Sequence, residues 1–326
     1  MEWWGQTWLN EGFAVFVSYI GSEHVDPTPS LHPWDRFYVR EMQRVMYSDE
    51  NTRVHWPMTD ETTDRGDIER KFGSFSYQKG GSIIRMIQSI LSKETFTKGV
   101  TNYLNDMAYN AATEDDLFFE LELQAILDDK WPATNRDFTE VMKSWTNQAG
   151  LPVVHASLNS DALTVNQTWL VSDGQPPEER LWHIPLTYTS VEESPAVGWD
   201  QTEPMMWLWQ EEVSKDIDVS GVLSPDAPFV VNIQGTGYYR VNYDEDNWNK
   251  IAEVLKTNRD WIHPLNRAQI ICDVARLVES GHVTTAIRDN VLSYIDTETE
   301  FGPNYAYEQC ASGLKEEDLD GFRFRI

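Results

Sequence analysis

The chain is short of positive charge, of cysteine and of long apolar runs, and each shortage narrows what it does. Only 26 of its 326 residues are Lys or Arg, against 53 Asp or Glu, giving a net charge of −27. Such a surface repels nucleic acid, because phosphate binding needs clustered basic side chains. No basic stretch suggests binding to an anionic membrane. No apolar run reaches the roughly 18 residues of a bilayer span. The start, Met1-Glu-Trp-Trp-Gly-Gln6, lacks a basic region followed by an apolar one, so it is not read as a signal peptide. Two cysteines, Cys272 and Cys310, make no disulfide framework; pairing and two buried thiols remain open. Internal repeats and low-complexity segments are also missing.

What is present is apolar and aromatic. Forty per cent of the residues are hydrophobic and 14 are Trp, which fits well-packed globular domains rather than disorder. The length allows two or three domains. Residues 1–150 read as mostly helical. Phe96, Val100, Tyr103, Leu104 and Met107 recur at helical spacing. Thr113 and Asp116 form a capping pair ahead of Leu117, Leu121 and Leu123. Phe138, Val141, Met142 and Trp145 make a further stripe, stopped by Gly150 and Pro152.

The period then changes. Val153–Ser157, Leu163–Val171, Leu181–Ser190, Met205–Gln210, Phe229–Ile233 and Tyr238–Tyr243 read as strands between turn residues such as Gly174, Pro176, Gly198, Gly221 and Gly235. Short strands at this density predict a small β-sandwich over 151–245. Helical spacing returns after Asp244, with Ala268, Ile271, Ala275 and Val278 on one face and Gly281 as the stop. Phe301–Ile326 has no clean period, and the helical region 246–326 looks cut short, because a few helices cannot bury their apolar faces alone.

One residue sits awkwardly in this pattern. Between Leu9 and Ile20 only Asn10, Glu11 and Ser18 are strongly polar, so the run predicts a helix buried on nearly every side. A carboxylate there needs a partner or a cation. Glu11 is therefore a buried ion-pair member, a general acid or base, or a metal ligand. Two His spaced four apart on one helical face would favour zinc. The seven His, at 24, 32, 55, 155, 183, 263 and 282, include no such pair. His24, His55 and His183 read as structural.

The residues around Glu11 change the weighting. Met1-Glu-Trp-Trp-Gly-Gln-Thr-Trp-Leu-Asn-Glu-Gly-Phe-Ala14 resembles the segment that follows the zinc motif in the aminopeptidase N family of gluzincin metallopeptidases. Phe75-Ser-Tyr-Gln-Lys-Gly80 resembles that family's catalytic-tyrosine helix. Trp145-Thr-Asn-Gln-Ala-Gly-Leu-Pro-Val-Val154, Gly237-Tyr-Tyr-Arg-Val-Asn-Tyr-Asp244 and Asn266-Arg-Ala-Gln-Ile-Ile271 resemble later landmarks of the family, in its order, up to about residue 295.

The resemblance implies a multidomain α+β architecture. Residues 1–150 would be the C-terminal part of a mostly helical, thermolysin-like catalytic domain, 151–245 a β-sandwich, and 246–326 the beginning of an α-helical domain. It implies a zinc-dependent aminopeptidase that removes N-terminal residues from peptides. Glu11 would be the third zinc ligand and Tyr77 the catalytic tyrosine. The two zinc-binding His, the general-base Glu and the segment that holds the peptide's amino terminus have no counterpart here. The chain is thus expected to be an internal portion of a longer protein or the product of a truncated gene model, inactive alone. A non-catalytic cell-surface or binding protein on the same scaffold is the alternative. The resemblance also implies a cell-surface or secreted location and peptides as partners, and it leaves the oligomeric state open. Asn166-Gln-Thr168 is a glycosylation sequon that matters only on that route. Lys79 and Arg85 are expected to be solvated helix charges, Tyr238 and Tyr239 to pack within the sandwich, and the scattered Trp residues to fill cores.

Overall fold

A computed structural model describes residues 3–25, 29–51, 56–131, 136–172 and 178–312. His55, Gly174 and Pro176 lie outside the described residues. The apolar run after Thr7 forms α1 (Trp8–Val25). It is followed by α2 (Pro33–Arg36) and α3 (Arg44–Asp49), joined by a π-helical stretch at Phe37–Gln43. Then come α4 (Arg65–Lys71), α5 (Gly80–Leu91), α6 (Lys93–Asp106), α7 (Glu114–Leu127) and α8 (Phe138–Thr146). The capping pair works as expected: the Thr113 hydroxyl accepts from the Asp116 amide, and the Asp116 carboxylate accepts from the Thr113 amide at 2.8 Å. Leu117 and Leu121 are fully buried, while Leu104 and Leu123 face solvent.

The expectation that α1 is buried nearly all round needs correction. Trp8, Leu9, Gly12 and Phe16 form its packed face, whereas Val17 and Val25 are 54% and 81% exposed. The helix packs on one stripe and leaves an open flank. Glu11 on it is half-buried, so it escapes the desolvation that a core carboxylate would suffer.

Helices give way to strands at Gly150, whose φ of +92° breaks the helical course and whose missing Cβ admits the Trp169 indole. The strands are β1 (Pro152–Asn159), β2 (Ala162–Trp169), β3 (Ile184–Leu186), β4 (Tyr188–Ser190), β5 (Met206–Leu208), β6 (Ser214–Asp218), β7 (Phe229–Val231) and β8 (Arg240–Tyr243). One sheet has the order β6-β2-β1-β8, with β1 and β8 parallel; two further ladders pair β3 with β5 and β4 with β7.

Two details differ from the sequence reading. The run Leu181–Ser190 is two strands in two ladders, because the chain changes partner at Thr187. There its carbonyl accepts from the Asn232 amide and its hydroxyl from the Ile233 amide. The strand β6 was not expected at all. It lies at a sheet edge and buries only Ile217, so its charged Ser-Lys-Asp-Ile-Asp sequence suits an edge and hides the strand pattern.

Helices resume as α9 (Glu245–Thr257), α10 (Pro264–Glu279), α11 (Thr285–Leu292) and α12 (Phe301–Ala306), with a π-helical turn at Tyr307–Ala311. The stretch from Phe301 is thus helical as far as Ala311, although it lacks a clean apolar period. Cys272 and Cys310, left open by the sequence, form a disulfide that ties α10 to this turn. Trp8, Trp145, Trp182 and Trp248 are fully buried, so these indoles pack cores. The whole is a mixed α+β architecture, as expected.

Candidate active site around Glu11 and Tyr77

Two glycines bring the two candidate residues together. The helix α1 crosses α5 so closely that a Cβ on Gly12 would lie 2.8 Å from the carbonyl carbon of Gly80 and 2.9 Å from its Cα. Only a pair of residues without side chains allows that approach. Glu11 precedes the crossing on one helix. Tyr77 precedes it on the other, within the π-helical turn Phe75–Lys79 that leads into α5. A π turn adds a residue per turn and redirects side chains, and such turns are common at functional sites.

At this junction the Tyr77 side chain lies close enough to Glu11 for the carboxylate charge to act on the phenol. Partial burial and the nearby Glu11 charge hold the phenol above the usual tyrosine range. Tyr77 therefore keeps its proton at neutral pH and remains a donor. Both side chains are half-buried. A cleft of about 510 Å³ runs beside Tyr77, walled also by Tyr19, Arg40, Glu41, Arg44 and Phe72. Within it the Tyr19 hydroxyl donates to Glu41 at 2.7 Å.

The turn bearing Tyr77 is anchored from behind. Lys79 is fully buried rather than solvated, which corrects the sequence reading. Its Nζ lies 2.7 Å from Asp49 Oδ2, also fully buried, and donates to the Gly150 carbonyl at 3.2 Å. Asp49 accepts further from the Gly150 amide at 2.9 Å and the Tyr238 hydroxyl at 3.2 Å. A charge in the interior is tolerated here because it is paired and each partner makes a further hydrogen bond. Arg85 is likewise buried, donating to the carbonyls of Gly235 and Gln234 at 2.7 and 3.0 Å. Both cations join the helical layer to the strand region.

Sequence reasoning singled out Glu11 and Tyr77 but not the residues packed behind them. Asp49 and Glu50 end an amphipathic helix, where acids are usually solvated, so nothing in the pattern marked them as buried. Tyr238 does pack in the core, yet its hydroxyl serves Asp49. His183 is buried with Nδ1 accepting from the Gln210 amide, and burial pushes it down to about 4, in keeping with a structural residue. His24 is exposed at the end of α1. Asn166 lies on β2, between His155 of β1 and Ser214 of β6, and is half-buried.

The donor set limits the metal chemistry. Among the described residues no three His, Cys, Asp or Glu side chains converge to hold a metal ion. A catalytic zinc needs three protein ligands. Glu11 offers one carboxylate, so the described residues alone do not fit a zinc centre.

Residues 1–145 match the peptidase family M1 domain, and residues 228–316 match the ERAP1-like C-terminal domain. The chain is similar to aminopeptidase N of Plutella xylostella, 34% identical over 303 residues, which is 92% of this chain and 31% of that protein. It is 34% identical over 310 residues to the membrane alanyl aminopeptidase of Heliothis virescens, covering 92% of this chain and 29% of the relative. Human aminopeptidase N is 32% identical over 325 residues, 96% of this chain and 31% of its own length. The chain spans about a third of the length of the curated relatives it matches.

Proposed function

Because the chain belongs to the aminopeptidase N family, we propose that it supplies the Glu11–Tyr77 half of a zinc-dependent aminopeptidase site. The observation that carries this reading is the glycine crossing that brings Tyr77 into the field of the Glu11 carboxylate. Tyr77 is a protonated phenol at the rim of a cleft, and its role is to donate to the oxyanion that develops when a peptide carbonyl is attacked. The fixed π turn, pinned through Lys79 and Asp49, holds that donor in place before substrate arrives, which is where electrostatic preorganisation gains its effect. Glu11 is one carboxylate ligand for zinc, with the remaining ligands supplied from outside the described residues. The cleft beside Tyr77 takes the peptide.

The three-part division at about 150 and 245 belongs to the same proposal. So does a cell-surface or extracellular location. The Cys272–Cys310 disulfide suits an oxidising compartment. The Heliothis and Manduca relatives are named as membrane enzymes. Among the described residues no helix is long and apolar enough to cross a membrane. Glycosylation at Asn166 would follow from that location.

The test uses the longer protein with a complete metal site. Tyr77→Phe should lower kcat on the order of 10²–10³-fold with KM nearly unchanged, since it removes one transition-state donor. Zinc content should stay at the level of the unmutated protein. Glu11→Ala should lose both metal and rate. The 326-residue chain alone should bind zinc substoichiometrically and leave an aminoacyl-anilide uncleaved. Retention of more than about half the activity by Tyr77→Phe would remove the tyrosine's role. A longer protein without activity would favour the non-catalytic surface protein.

A further inference from the structure

A second, smaller cavity of about 100 Å³ lies where the helical layer, the sheet and the C-terminal helices meet. Its wall includes four arginines, Arg40, Arg44, Arg240 and Arg276, together with Gln43 and Gln309. Among the described residues that wall includes no carboxylate, although the chain as a whole is strongly acidic. The carboxylates that balance the arginines stand behind them. Glu50 bridges Arg240 and Arg276, Asp273 holds Arg240 at 3.0 Å, Glu279 pairs with Arg276, and Glu41 lies 3.8 Å from Arg40.

Gln43 reveals what the cavity wants. It is 4% exposed, and its Oε1 accepts from Arg240 Nη1 at 2.8 Å. That bond fixes the amide orientation, since flipping it would face a donor with a donor. The Nε2 group is then buried and without a hydrogen-bond partner. A buried amide proton in that state is costly, so it calls for an acceptor. Arg240 uses Nε and both protons of Nη1 on Glu50, Gln43 and Asp273, which leaves its Nη2 protons over.

The geometry points to a binding site for a small oxyanion, a phosphate or a carboxylate, held by Gln43 Nε2 and Arg240 Nη2. Guanidinium groups bind such anions through paired N–H donors. The volume suffices, because a single water needs only about 10–15 Å³ measured in this way. The site is separate from the Glu11–Tyr77 pair. Arg40 and Arg44 also line the cleft beside Tyr77, so a bound anion would lie one layer of arginine from it.

Calorimetric titration of the 326-residue chain with inorganic phosphate, and separately with acetate, at constant ionic strength tests this. Saturable one-site binding is expected for at least one of them, with a dissociation constant on the order of millimolar or tighter. The arm that saturates identifies the anion class. Gln43→Met should weaken it by about tenfold or more, as expected for losing one charge-assisted donor. Gln309→Leu, at a half-buried wall position, should weaken it severalfold, and it keeps the test readable if a core variant fails to fold. Thermal melts would confirm folding of each variant. Absence of saturation with both anions up to about 50 mM would mean that the cavity holds water only, and would overturn the assignment. Unchanged affinity in the folded wall variants would also overturn it.

Discussion

Substituting Ala for Gly12 tests the crossing that brings the two site residues together. The added Cβ would sit 2.8 Å from the Gly80 carbonyl carbon, about 0.6 Å inside the 3.4 Å at which ordinary contact begins. The obstructing atoms are backbone, so no side chain can swing away; the helices must separate. Overpacking of this kind costs about 1–3 kcal/mol. Ala in a helix interior is favoured over Gly by roughly 1 kcal/mol, which masks part of that cost. Gly21 supplies the control. It lies on the same helix, and a Cβ there meets nothing within 4 Å. Gly21→Ala should therefore gain up to about 1 kcal/mol, while Gly12→Ala should fall about 1–3 kcal/mol below it. Urea unfolding followed by far-ultraviolet circular dichroism reads the difference. Two variants of equal stability would refute the close crossing.

Three further outcomes follow from the same structure. Lys79→Met leaves Asp49 buried and unpaired and should destabilise the chain by about 3–5 kcal/mol, with Lys79→Met/Asp49→Asn costing much less than the two single changes added; additive effects in the cycle would sink the paired-charge account. Burial pushes the His155 imidazole down to about 4 from 6.5, so between those values the unfolded chain binds the extra proton and stability falls as pH falls. Asp273, pushed up to about 6 by burial, acts in the opposite direction, so the comparison of His155→Asn with the unmutated protein at pH 7 and pH 5 isolates the histidine. An NMR midpoint for His155 near 6.5 would contradict it. Closing a 38-residue separation, the Cys272–Cys310 bond should stabilise by about 4 kcal/mol on chain-entropy grounds, and Cys272→Ser/Cys310→Ser with an unshifted unfolding midpoint would count against it.

The parts of the fold that were legible in the sequence are those whose signal is local. The capping pair at Thr113, the stripe Phe138–Trp145 and the stop at Gly281 depend on residues a few positions apart. The strand at Ser214–Asp218 was invisible, because an edge strand with one buried residue carries no alternation. The break at Thr187 was hidden too, since a change of strand partner is a tertiary event within an unbroken apolar run. For the site, Glu11 stood out as a polar residue in an apolar helix, but the inference of deep burial failed because apolar content does not reveal that one flank is open. Tyr77 was marked by its surrounding residues rather than by any periodicity. Asp49, Lys79 and Tyr238 lie 30 and 189 residues apart across their contacts. No sequence window joins them, which is why buried charges were read as solvated ones.

The central claim is that Glu11 and Tyr77 form one unit, and the ionisation of Tyr77 measures it most directly. With ¹³Cζ-labelled tyrosine, and Tyr77→Phe to assign the resonance, Tyr77 should titrate above the ordinary tyrosine value of 10.0. Replacing the carboxylate in Glu11→Gln removes its charge, so the midpoint should move down toward that value, with the part due to burial remaining. A Tyr77 midpoint that is the same in Glu11→Gln and in the unmutated chain would contradict the account.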